Sequence, residues 1–416
     1  MAKYVIEGGK TLKGEMTAHG AKNSALPILA ASLLCEGKVV LKNCPNLSDV
    51  RAVFKILRHL GAQVEYDGSV AVIDSRDVFK SDIPDELMRE MRSSALFLGA
   101  LAGRMGAAKM SYPGGCELGP RPIDLHLSAL AKLGVSVTEE YGEIELRSKG
   151  IKGANIDLGF PSVGATENII IAAALSEGDT VITGAAREPE IIDLASFLNR
   201  CGANIRGAGE STVIISGVKK LHSCEYTIMS DRIEVATYMS FASITGGEVF
   251  IKGADTKTLS AVVPVFEAAG PRIYPVSNGI YICGRGTIYS VSPIRTLPYP
   301  AFPTDAQAPV MALLSIARGT TIFIENIFES RYKHVDELNR MGADIRTEGR
   351  TAVVCGVPKL YGAKLEAKDL RGGAALVTAA LCAEGRSEIG GIFHIDRGYQ
   401  DLDITLRALG ADIKRK

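Results

Sequence analysis

Apolar and polar positions along the chain follow a pattern that repeats six times. Each repeat holds one helix that is apolar on most sides, such as 168–175 or 374–383, and one amphipathic helix, such as 49–60. An apolar helix belongs in the interior of a domain, whereas an amphipathic helix has one exposed face. Short runs typical of β-strands, such as 38–41 and 320–324, separate the helices. The pattern therefore predicts a βαβαββ repeat and an α/β protein whose helices are covered by sheets.

Glycine marks the same two places in every repeat. One glycine follows the apolar helix, at Gly37, Gly106, Gly178, Gly247, Gly319 and Gly385. The other follows the amphipathic helix, at Gly61, Gly134, Gly202, Gly270, Gly342 and Gly410. Because glycine accepts the left-handed conformation found after many helices, we expect both sets to end their helices. Six repeats of about 69 residues then account for all 416 residues.

The last repeat is incomplete, because only one strand, 411–416, follows its final helix. The N-terminal strand 3–7 is predicted to supply the missing neighbour. Three repeats then form each of two domains: residues 22–229, and residues 1–21 together with 230–416. Two connections would cross between the domains, an arrangement typical of a hinge around a cleft.

Charge and hydropathy exclude several classes of protein. Lys and Arg total 47 and Asp and Glu also total 47, which argues against a protein that binds nucleic acid or membrane surfaces. Apolar runs reach about ten residues, short of the roughly 20 that a membrane span needs. The first residues lack the apolar core of a signal peptide. We therefore expect a cytoplasmic protein without nucleic-acid or membrane partners, and its oligomeric state stays open.

The eight cysteines are scattered, and no pair has the Cys-x-x-Cys spacing of a metal or redox site. Cys201 falls at a core position of its repeat, and Cys35 and Cys382 end apolar helices. Only Cys116 lies in a loop rich in glycine and proline, and this loop is about four residues longer than its equivalents in the other repeats. Arg121 nearby favours the reactive thiolate. The alternative interpretation is an incidental loop cysteine.

The starts of the apolar helices differ most between repeats. Counting back 14 positions from the first set of glycines reaches Asn23, Arg92, Gly164, Ile233, Asp305 and Arg371. A cation opposes the dipole at a helix N-terminus, so Arg92 and Arg371 indicate ligand contacts, with surface arginine as the alternative. Asp305 fits either a functional acid or a helix cap. The segment 162–166 offers backbone N–H groups to an anion, although its Ser and Thr also suit a cap.

Further charged residues fall in loops of the other repeats, at Arg187, Asp255, Arg331 and Arg397. With Asp305, Asp369 and Cys116 they make a candidate site rich in cations, with acids and one thiol. Such a set suits a substrate that carries phosphate and carboxylate groups. It also provides groups for proton transfer.

Six motifs carry a resemblance to a known family, at 20–27, 113–126, 162–166, 186–190, 301–305 and 394–399. Through them the chain resembles the enolpyruvyl transferases, and among these the UDP-N-acetylglucosamine 1-carboxyvinyltransferases. The most specific motif is Pro-Gly-Gly-Cys at 113–116 followed by Arg-Pro-Ile-Asp-Leu-His at 121–126. The resemblance implies two inside-out α/β domains, each built of three βαβαββ repeats.

The resemblance also implies an activity. The family transfers the enolpyruvyl group of phosphoenolpyruvate to the 3′-hydroxyl of UDP-N-acetylglucosamine, releases phosphate, and uses no metal or organic cofactor. This step begins peptidoglycan precursor synthesis. Cys116 resembles the general acid, which can form an adduct with phosphoenolpyruvate and is the target of fosfomycin. Asp305 resembles the base that takes the hydroxyl proton, and Lys22 and Arg397 complete the catalytic set.

Substrate contacts carry over residue by residue. For phosphoenolpyruvate they are Lys22, Asn23, Arg121, Arg397, Arg331 and Arg371. For UDP-N-acetylglucosamine they are Asn23, Arg92, Arg121, Pro122, Ile123, Asp124, Leu125, Ser162, Val163, Gly164, Asp305 and Ile327. The sequence departs from the family pattern at Glu117, Pro120 and 160–161.

Other functions stay open at this point. A transferase of the same fold acts on shikimate 3-phosphate, but the Cys116 loop with Arg-Pro-Ile-Asp-Leu argues against that acceptor. The six repeats would also suit a non-catalytic scaffold, because many repeat proteins only bind partners. A scaffold has no need of a thiol framed by glycines beside Arg121. A nucleic-acid binder is disfavoured by zero net charge and the absence of Trp.

Overall fold

The computed structural model describes residues 2–90, 92–112 and 123–416, without the side chains at 92 and 93. The helices are α1 Lys22–Ala31, α2 Ser48–Leu60, α3 Asp85–Glu90, α4 Leu96–Met105, α5 Asp124–Lys132, α6 Val163–Ala173, α7 Pro189–Arg200, α8 Arg232–Ile244, α9 Val263–Ala269, α10 Thr304–Leu314, α11 Val335–Arg340, α12 Leu370–Cys382 and α13 Leu402–Ala408. Short 3₁₀ helices occupy Ser32–Leu34, Arg92–Ala95, Thr256–Leu259 and Ile395–Arg397.

The strands are β1 Tyr4–Glu7, β2 Lys13–Thr17, β3 Cys35–Glu36, β4 Lys38–Lys42, β5 Gln63–Tyr66, β6 Ala71–Asp74, β7 Asp82–Ile83, β8 Ala107–Ser111, β9 Ser136–Glu140, β10 Glu143–Arg147, β11 Asn155–Asp157, β12 Asp179–Thr183, β13 Asn204–Arg206, β14 Thr212–Ser216, β15 Leu221–His222, β16 Glu225–Thr227, β17 Glu248–Lys252, β18 Arg272–Val276, β19 Gly279–Cys283, β20 Ile294–Thr296, β21 Thr320–Glu325, β22 Asp344–Glu348, β23 Thr351–Cys355, β24 Lys364–Glu366, β25 Arg386–Gly390 and β26 Asp412–Arg415.

Six four-stranded sheets with one shared topology account for most of these strands. Their orders are β16-β4-β6-β5, β7-β8-β10-β9, β11-β12-β14-β13, β18-β19-β17-β2, β20-β21-β23-β22 and β24-β25-β1-β26. In four of the six sheets the strand before the apolar helix pairs in parallel with the strand after it, as β11 does with β12. In the other two the parallel partner comes from elsewhere in the chain, because β16 pairs with β4 and β2 pairs with β17. An antiparallel pair completes the sheet, as β13 and β14 do. The predicted α/β fold and its βαβαββ repeat are confirmed.

The N-terminal strand completes the last repeat, as predicted. β1 lies between β25 and β26, and Tyr4 faces Ile389 on one side and Arg415 on the other. Two further strands pair outside their own repeats: β16 is the edge strand of the first sheet, and β2 is the edge strand of the fourth. Strands remote in sequence therefore close both sets of three repeats.

The chain divides into two compact units, and each has its own apolar core. One contains residues 2–19 and 230–416, and the other contains the described residues from 20 to 229. In the first unit the buried helices α8, α10 and α12 pack on one another, and in the second α4 packs on α1 and α6. The sheets lie outside these helices, which is the inside-out arrangement. Every residue of α8 is buried, which explains why the apolar helices lack a polar face.

The two sets of glycines behave differently. All six glycines after the amphipathic helices have positive φ, between 86° and 116°, as predicted. After the apolar helices only Gly106 caps its helix directly, because elsewhere a short turn or 3₁₀ segment separates the helix from the glycine. Gly247 does not have positive φ, and its neighbour Gly246 does. A Cβ on Gly247 would lie 2.4 Å from the carbonyl oxygen of Leu12, so close packing requires glycine there.

Candidate active site

The predicted helix starts are located correctly in five repeats. Asn23, Gly164, Ile233, Asp305 and Arg371 are each the second residue of an apolar helix. In the remaining repeat Arg92 begins a 3₁₀ helix instead, and α4 starts four residues later. Equivalent positions in the repeats therefore do carry different side chains at one end of each buried helix.

Asp305 pairs with two buried arginines in a charge cluster of the first unit. Its Oδ1 accepts a hydrogen bond from Nη2 of Arg331 at 2.9 Å, and its Oδ2 accepts one from Nη2 of Arg371 at 3.1 Å. The two arginine side chains are 3% and 2% exposed, whereas that of Asp305 is 26% exposed. Charge-assisted bonds of this kind hold a carboxylate in one orientation. Asp305 thus presents a fixed carboxylate at the border of the cluster.

Both alternative interpretations of this cluster are wrong. Asp305 does not cap its helix, because the N-cap residue is Pro303 and no side-chain cap bond is present. Arg371 is not a surface arginine, because its guanidinium is buried over the ring of Tyr399 at 5.3 Å. Arg331 similarly lies over the ring of Phe328. Stacking on aromatic rings orients the two guanidinium groups.

Asp369 and His334 extend the cluster. Oδ1 of Asp369 caps α12 by accepting from the backbone N–H groups of Arg371 and Gly372 at 3.1 and 2.9 Å. Burial lowers the pKa of His334 to about 4, so its imidazole is neutral at pH 7. Within the described residues, several buried side-chain atoms without a hydrogen-bond partner lie here: Nε of Arg331, both ring nitrogens of His334, Oδ2 of Asp369, and Nε and Nη1 of Arg371. Buried polar atoms normally have partners, so this region can hold a polar or anionic group.

Ile327 and Arg397 lie near the same helix ends. The backbone N–H of Ile327 donates to Oε1 of Glu325 at 2.8 Å, and Oε2 of Glu325 accepts from the hydroxyl of Thr304 at 2.9 Å. The Ile327 loop is therefore tied to the start of α10. Arg397 is half-buried in the 3₁₀ helix Ile395–Arg397, which packs against α12.

In the second unit, Lys22 and Asn23 begin α1. Nζ of Lys22 is 3.3 Å from Oδ2 of Asp49, and the lysine side chain is 12% exposed. The next residue, Ser24, donates from its hydroxyl to Asp193. Asp193 also accepts from the hydroxyl of Tyr226 at 2.6 Å. Two carboxylates thus hold the first turn of α1 in place.

The start of α6 is half-buried and has a true cap. The hydroxyl oxygen of Ser162 accepts from the backbone N–H of Ala165 at 3.4 Å, whereas Thr166 donates back to the carbonyl of Ser162. Ser162 therefore caps the helix and Thr166 does not. Val163 and Gly164 form the first turn, where backbone N–H groups and the helix dipole favour an anion.

The start of α5 carries three more predicted contacts. Ile123 is buried, Asp124 is exposed and Leu125 is half-buried. Four predicted features lie outside the described residues: Cys116, Arg121, Pro122 and the side chain at 92. The departures Glu117 and Pro120 lie there too. Their roles stay predictions from the sequence.

The other cysteines largely follow the sequence prediction. Cys35 and Cys201 are buried, as expected, whereas Cys382 is half-buried. Sγ of Cys201 lies 3.1 Å from Sγ of Cys224. Among the residues that the structure describes, no group of three His, Cys, Asp or Glu is arranged to hold a metal ion, and no helix is long and apolar enough to cross a membrane.

Asp49 and His334 of these clusters, and the buried Asn168 of α6, were not singled out from the sequence. Asp49 and His334 lie in or beside amphipathic helices, where charged residues are ordinary, so neither gave a signal. Asn168 did give one, because it is an amide inside an otherwise apolar run. A strongly polar side chain in a buried helix must find partners, and this was a reason to single it out.

Comparison with known proteins defines the family. Residues 6–406 match the family described as EPSP synthase (3-phosphoshikimate 1-carboxyvinyltransferase). The chain is 52% identical to UDP-N-acetylglucosamine 1-carboxyvinyltransferase 2 of Caldanaerobacter subterraneus subsp. tengcongensis, with all of both chains covered. It is 47% identical to UDP-N-acetylglucosamine 1-carboxyvinyltransferase of Nitratidesulfovibrio vulgaris, again with 100% of both covered.

Solved structures agree with this relationship. The enolpyruvyl transferase NikO from Streptomyces tendae has a TM-score of 0.90 at 25% identity, with 100% of this chain and 99% of that one covered. EPSP synthase from Acinetobacter baumannii, at 20% identity and a TM-score of 0.78 over 100% of both chains, shares the fold. The chain belongs to the enolpyruvyl transferases of the EPSP synthase family, and within them to the UDP-N-acetylglucosamine 1-carboxyvinyltransferases. It is therefore an enzyme.

Proposed function

We propose that this protein transfers the enolpyruvyl group of phosphoenolpyruvate to the 3′-hydroxyl of UDP-N-acetylglucosamine and releases phosphate. The observation that carries the proposal is similarity over the whole chain, at 45–52% identity, to relatives named for this activity. The reaction is the first committed step of peptidoglycan precursor synthesis. It would thus serve the building of the cell wall, and with it cell shape and division.

The chemistry defines what the site has to supply. C3 of phosphoenolpyruvate takes up a proton while C2 develops cationic character, and the sugar hydroxyl then bonds to C2. The hydroxyl proton passes to a base. Loss of phosphate from C2 and of a proton from C3 then forms the enol ether. A general acid, a base and cations for the phosphate and carboxylate groups are therefore needed.

Asp305 is the proposed base and Cys116 the proposed general acid. Support for Asp305 comes from its environment, since two buried arginines hold a carboxylate that is itself a quarter exposed. A base has to be oriented and also reachable by the proton it takes. Cys116 is proposed from the sequence motif, both as acid and as the thiol that forms an adduct with phosphoenolpyruvate.

The remaining residues are proposed to bind substrates. Phosphoenolpyruvate is assigned to Lys22, Asn23, Arg121, Arg331, Arg371 and Arg397. UDP-N-acetylglucosamine is assigned to Asn23, Arg92, Arg121, Pro122, Ile123, Asp124, Leu125, Ser162, Val163, Gly164, Asp305 and Ile327. Partly desolvated cations bind phosphate and carboxylate more strongly than exposed ones do, which supports the assignment of Lys22, Arg331, Arg371 and Arg397.

Shikimate 3-phosphate is the alternative acceptor, because the matched family is described by that activity. The deciding experiment measures phosphate release from phosphoenolpyruvate with each acceptor, and with none. We expect release only with UDP-N-acetylglucosamine. Release with shikimate 3-phosphate alone would overturn the proposal, and binding of the sugar nucleotide without turnover would favour a scaffold.

No metal or organic cofactor is proposed to take part. The proposed acid, base and cations are all side chains, so the reaction needs no further group. The rate of phosphate release should therefore be unchanged after dialysis against a chelator. A loss that added divalent metal restores would contradict this part of the proposal.

A further inference from the structure

Asn168 lies where three helix starts of the second unit meet. It is fully buried in α6, four residues after Gly164. Nδ2 of Asn168 is 2.7 Å from the carbonyl oxygen of Ala95 and 2.7 Å from Nδ1 of His126. Oδ1 of Asn168 accepts from the backbone N–H of Gly99 at 2.8 Å. A single amide on α6 therefore contacts the first turn of α4 and the first turn of α5.

The contact with Gly99 determines which atom of the Asn168 amide is the oxygen and which is the nitrogen. A backbone N–H can only donate, so the amide atom facing Gly99 is the oxygen. The amide nitrogen must then face Ala95 and His126, and its two hydrogens are both used. Because Nδ1 of His126 receives one of them, that nitrogen carries no proton and the imidazole proton is on Nε2. Burial lowers the pKa of His126 to about 4, which agrees with a neutral ring at pH 7.

Two glycines allow the helices to come this close. A Cβ on Gly99 would lie 2.5 Å from the backbone oxygen of Asn168, which is closer than atoms can approach. A Cβ on Gly164 would lie 3.0 Å from Cε1 and 3.2 Å from Nε2 of His126. The Nε2 edge of the imidazole therefore packs directly against the first turn of α6.

The segments joined by Asn168 carry residues assigned above to the sugar nucleotide. The 3₁₀ helix that begins at Arg92 ends at Ala95. Asp124 and Leu125 immediately precede His126, and the turn 162–164 contacts its ring through Gly164. We propose that Asn168 is a positioning residue for the UDP-N-acetylglucosamine site, where it joins these three segments and holds His126 as the Nε2–H tautomer. This inference rests on the proposed function.

The variant Asn168→Asp tests the proposal with almost no change of shape. It replaces the NH₂ group by an oxygen, which then faces the carbonyl of Ala95 and the unprotonated Nδ1 of His126. The histidine should respond by moving its proton to Nδ1. We expect the KM for UDP-N-acetylglucosamine to rise about tenfold, because the buried hydrogen bonds from the Asn168 amide to Ala95 and His126 are lost. The KM for phosphoenolpyruvate should change less than about twofold.

Nitrogen-15 NMR of histidine-labelled protein without substrates reads the tautomer directly. In the wild type the His126 signals, assigned by their loss in His126→Gln, should show a protonated Nε2 and an unprotonated Nδ1 at pH 7. In Asn168→Asp the two should exchange. A protonated Nδ1 in the wild type would overturn the proposal, and so would an equal rise of both KM values in the variant.

Asn199→Asp is the matched control. Asn199 in α7 also accepts from a backbone N–H and donates to a carbonyl, both of Ile205, at 2.8 and 2.9 Å. It contacts none of the three segments, so both KM values should stay at wild-type level. If Asn168→Asp does not fold, the histidine tautomer of the wild type still tests how the Asn168 amide is oriented. The KM comparison is then made with Asn168→Ala. Wild-type protein without phosphate release would overturn the proposed function instead, whatever the tautomer.

Discussion

Nη2 of Arg371 lies 3.1 Å from Oδ2 of Asp305, although the two residues are 66 positions apart in the chain. Each is the second residue of an apolar helix, in neighbouring repeats of the same unit. The repeat therefore brings equivalent positions together and places opposite charges there. Because the arginine is buried, removing the carboxylate would leave a cation without its partner, so changes at Asp305 should conserve shape.

Asp305→Asn should lower turnover about 10²- to 10⁴-fold, because an amide of the same shape cannot take the hydroxyl proton. Affinity for UDP-N-acetylglucosamine, measured by calorimetry, should change far less. Asp67→Asn, in an exposed hairpin turn, serves as the control and should keep full turnover. Turnover near the wild-type rate in Asp305→Asn would show that another group is the base.

Arg397→Ala should raise the KM for phosphoenolpyruvate much more than the KM for the sugar nucleotide. A charge-assisted contact to a small anion is lost, and such a contact is worth more than a neutral hydrogen bond. Arg407→Ala is the matched control, since Arg407 is half exposed and pairs with Asp403 within α13. Equal increases for both substrates would indicate a folding defect rather than a binding role.

Cys116 should be the thiol that reacts with fosfomycin at pH 7. Burial raises the pKa of Cys44 and that of Cys382 to about 12, so these thiols hold very little thiolate. Peptide mass spectrometry after brief treatment should find the adduct on the Cys116 peptide alone, and Cys116→Ser should abolish it. Labelling spread over several cysteines would contradict a selectively reactive thiol at Cys116.

The free energy of unfolding should fall as pH falls below about 6.5. The pKa of His126 is lowered from 6.5 to about 4 in the folded protein, so between these values the unfolded chain binds the proton more readily. Going from pH 7 to pH 5 should therefore cost the wild type about 2 kcal/mol more than His126→Gln, as measured by urea unfolding. An equal loss of stability in the wild type and in His126→Gln would contradict this role of His126.

Ile6→Ala should destabilise the first unit by about 2–5 kcal/mol, because Ile6 is fully buried in β1 and its loss leaves a cavity. Urea unfolding followed by circular dichroism measures the loss. Glu7→Ala, at the next and exposed position of the same strand, is the control and should change little. Similar small effects of both changes would mean that β1 contributes no core packing.

The sixfold repeat explains why so much of the fold could be predicted from the sequence. Six copies of one pattern average out local irregularities, so helix positions and the place of the N-terminal strand followed from spacing alone. Spacing alone gave two wrong predictions, the positive φ at Gly247 and the start of α4 at Arg92. At both places a contact with another segment, Leu12 in one case and Asn168 in the other, is what shapes the local backbone.

The sequence by itself determined the repeat, the α/β class and the family, because periodicity and short motifs are local properties of the chain. It also located most starts of the buried helices and the residues that differ there. Only the tertiary structure decided what those residues do to one another. Two arginines bind Asp305, Lys22 pairs with Asp49, and the amide of Asn168 contacts His126. Each of these contacts joins residues that are tens of positions apart in the chain. Burial and distance decide such contacts, and neither can be read from the spacing of residue types.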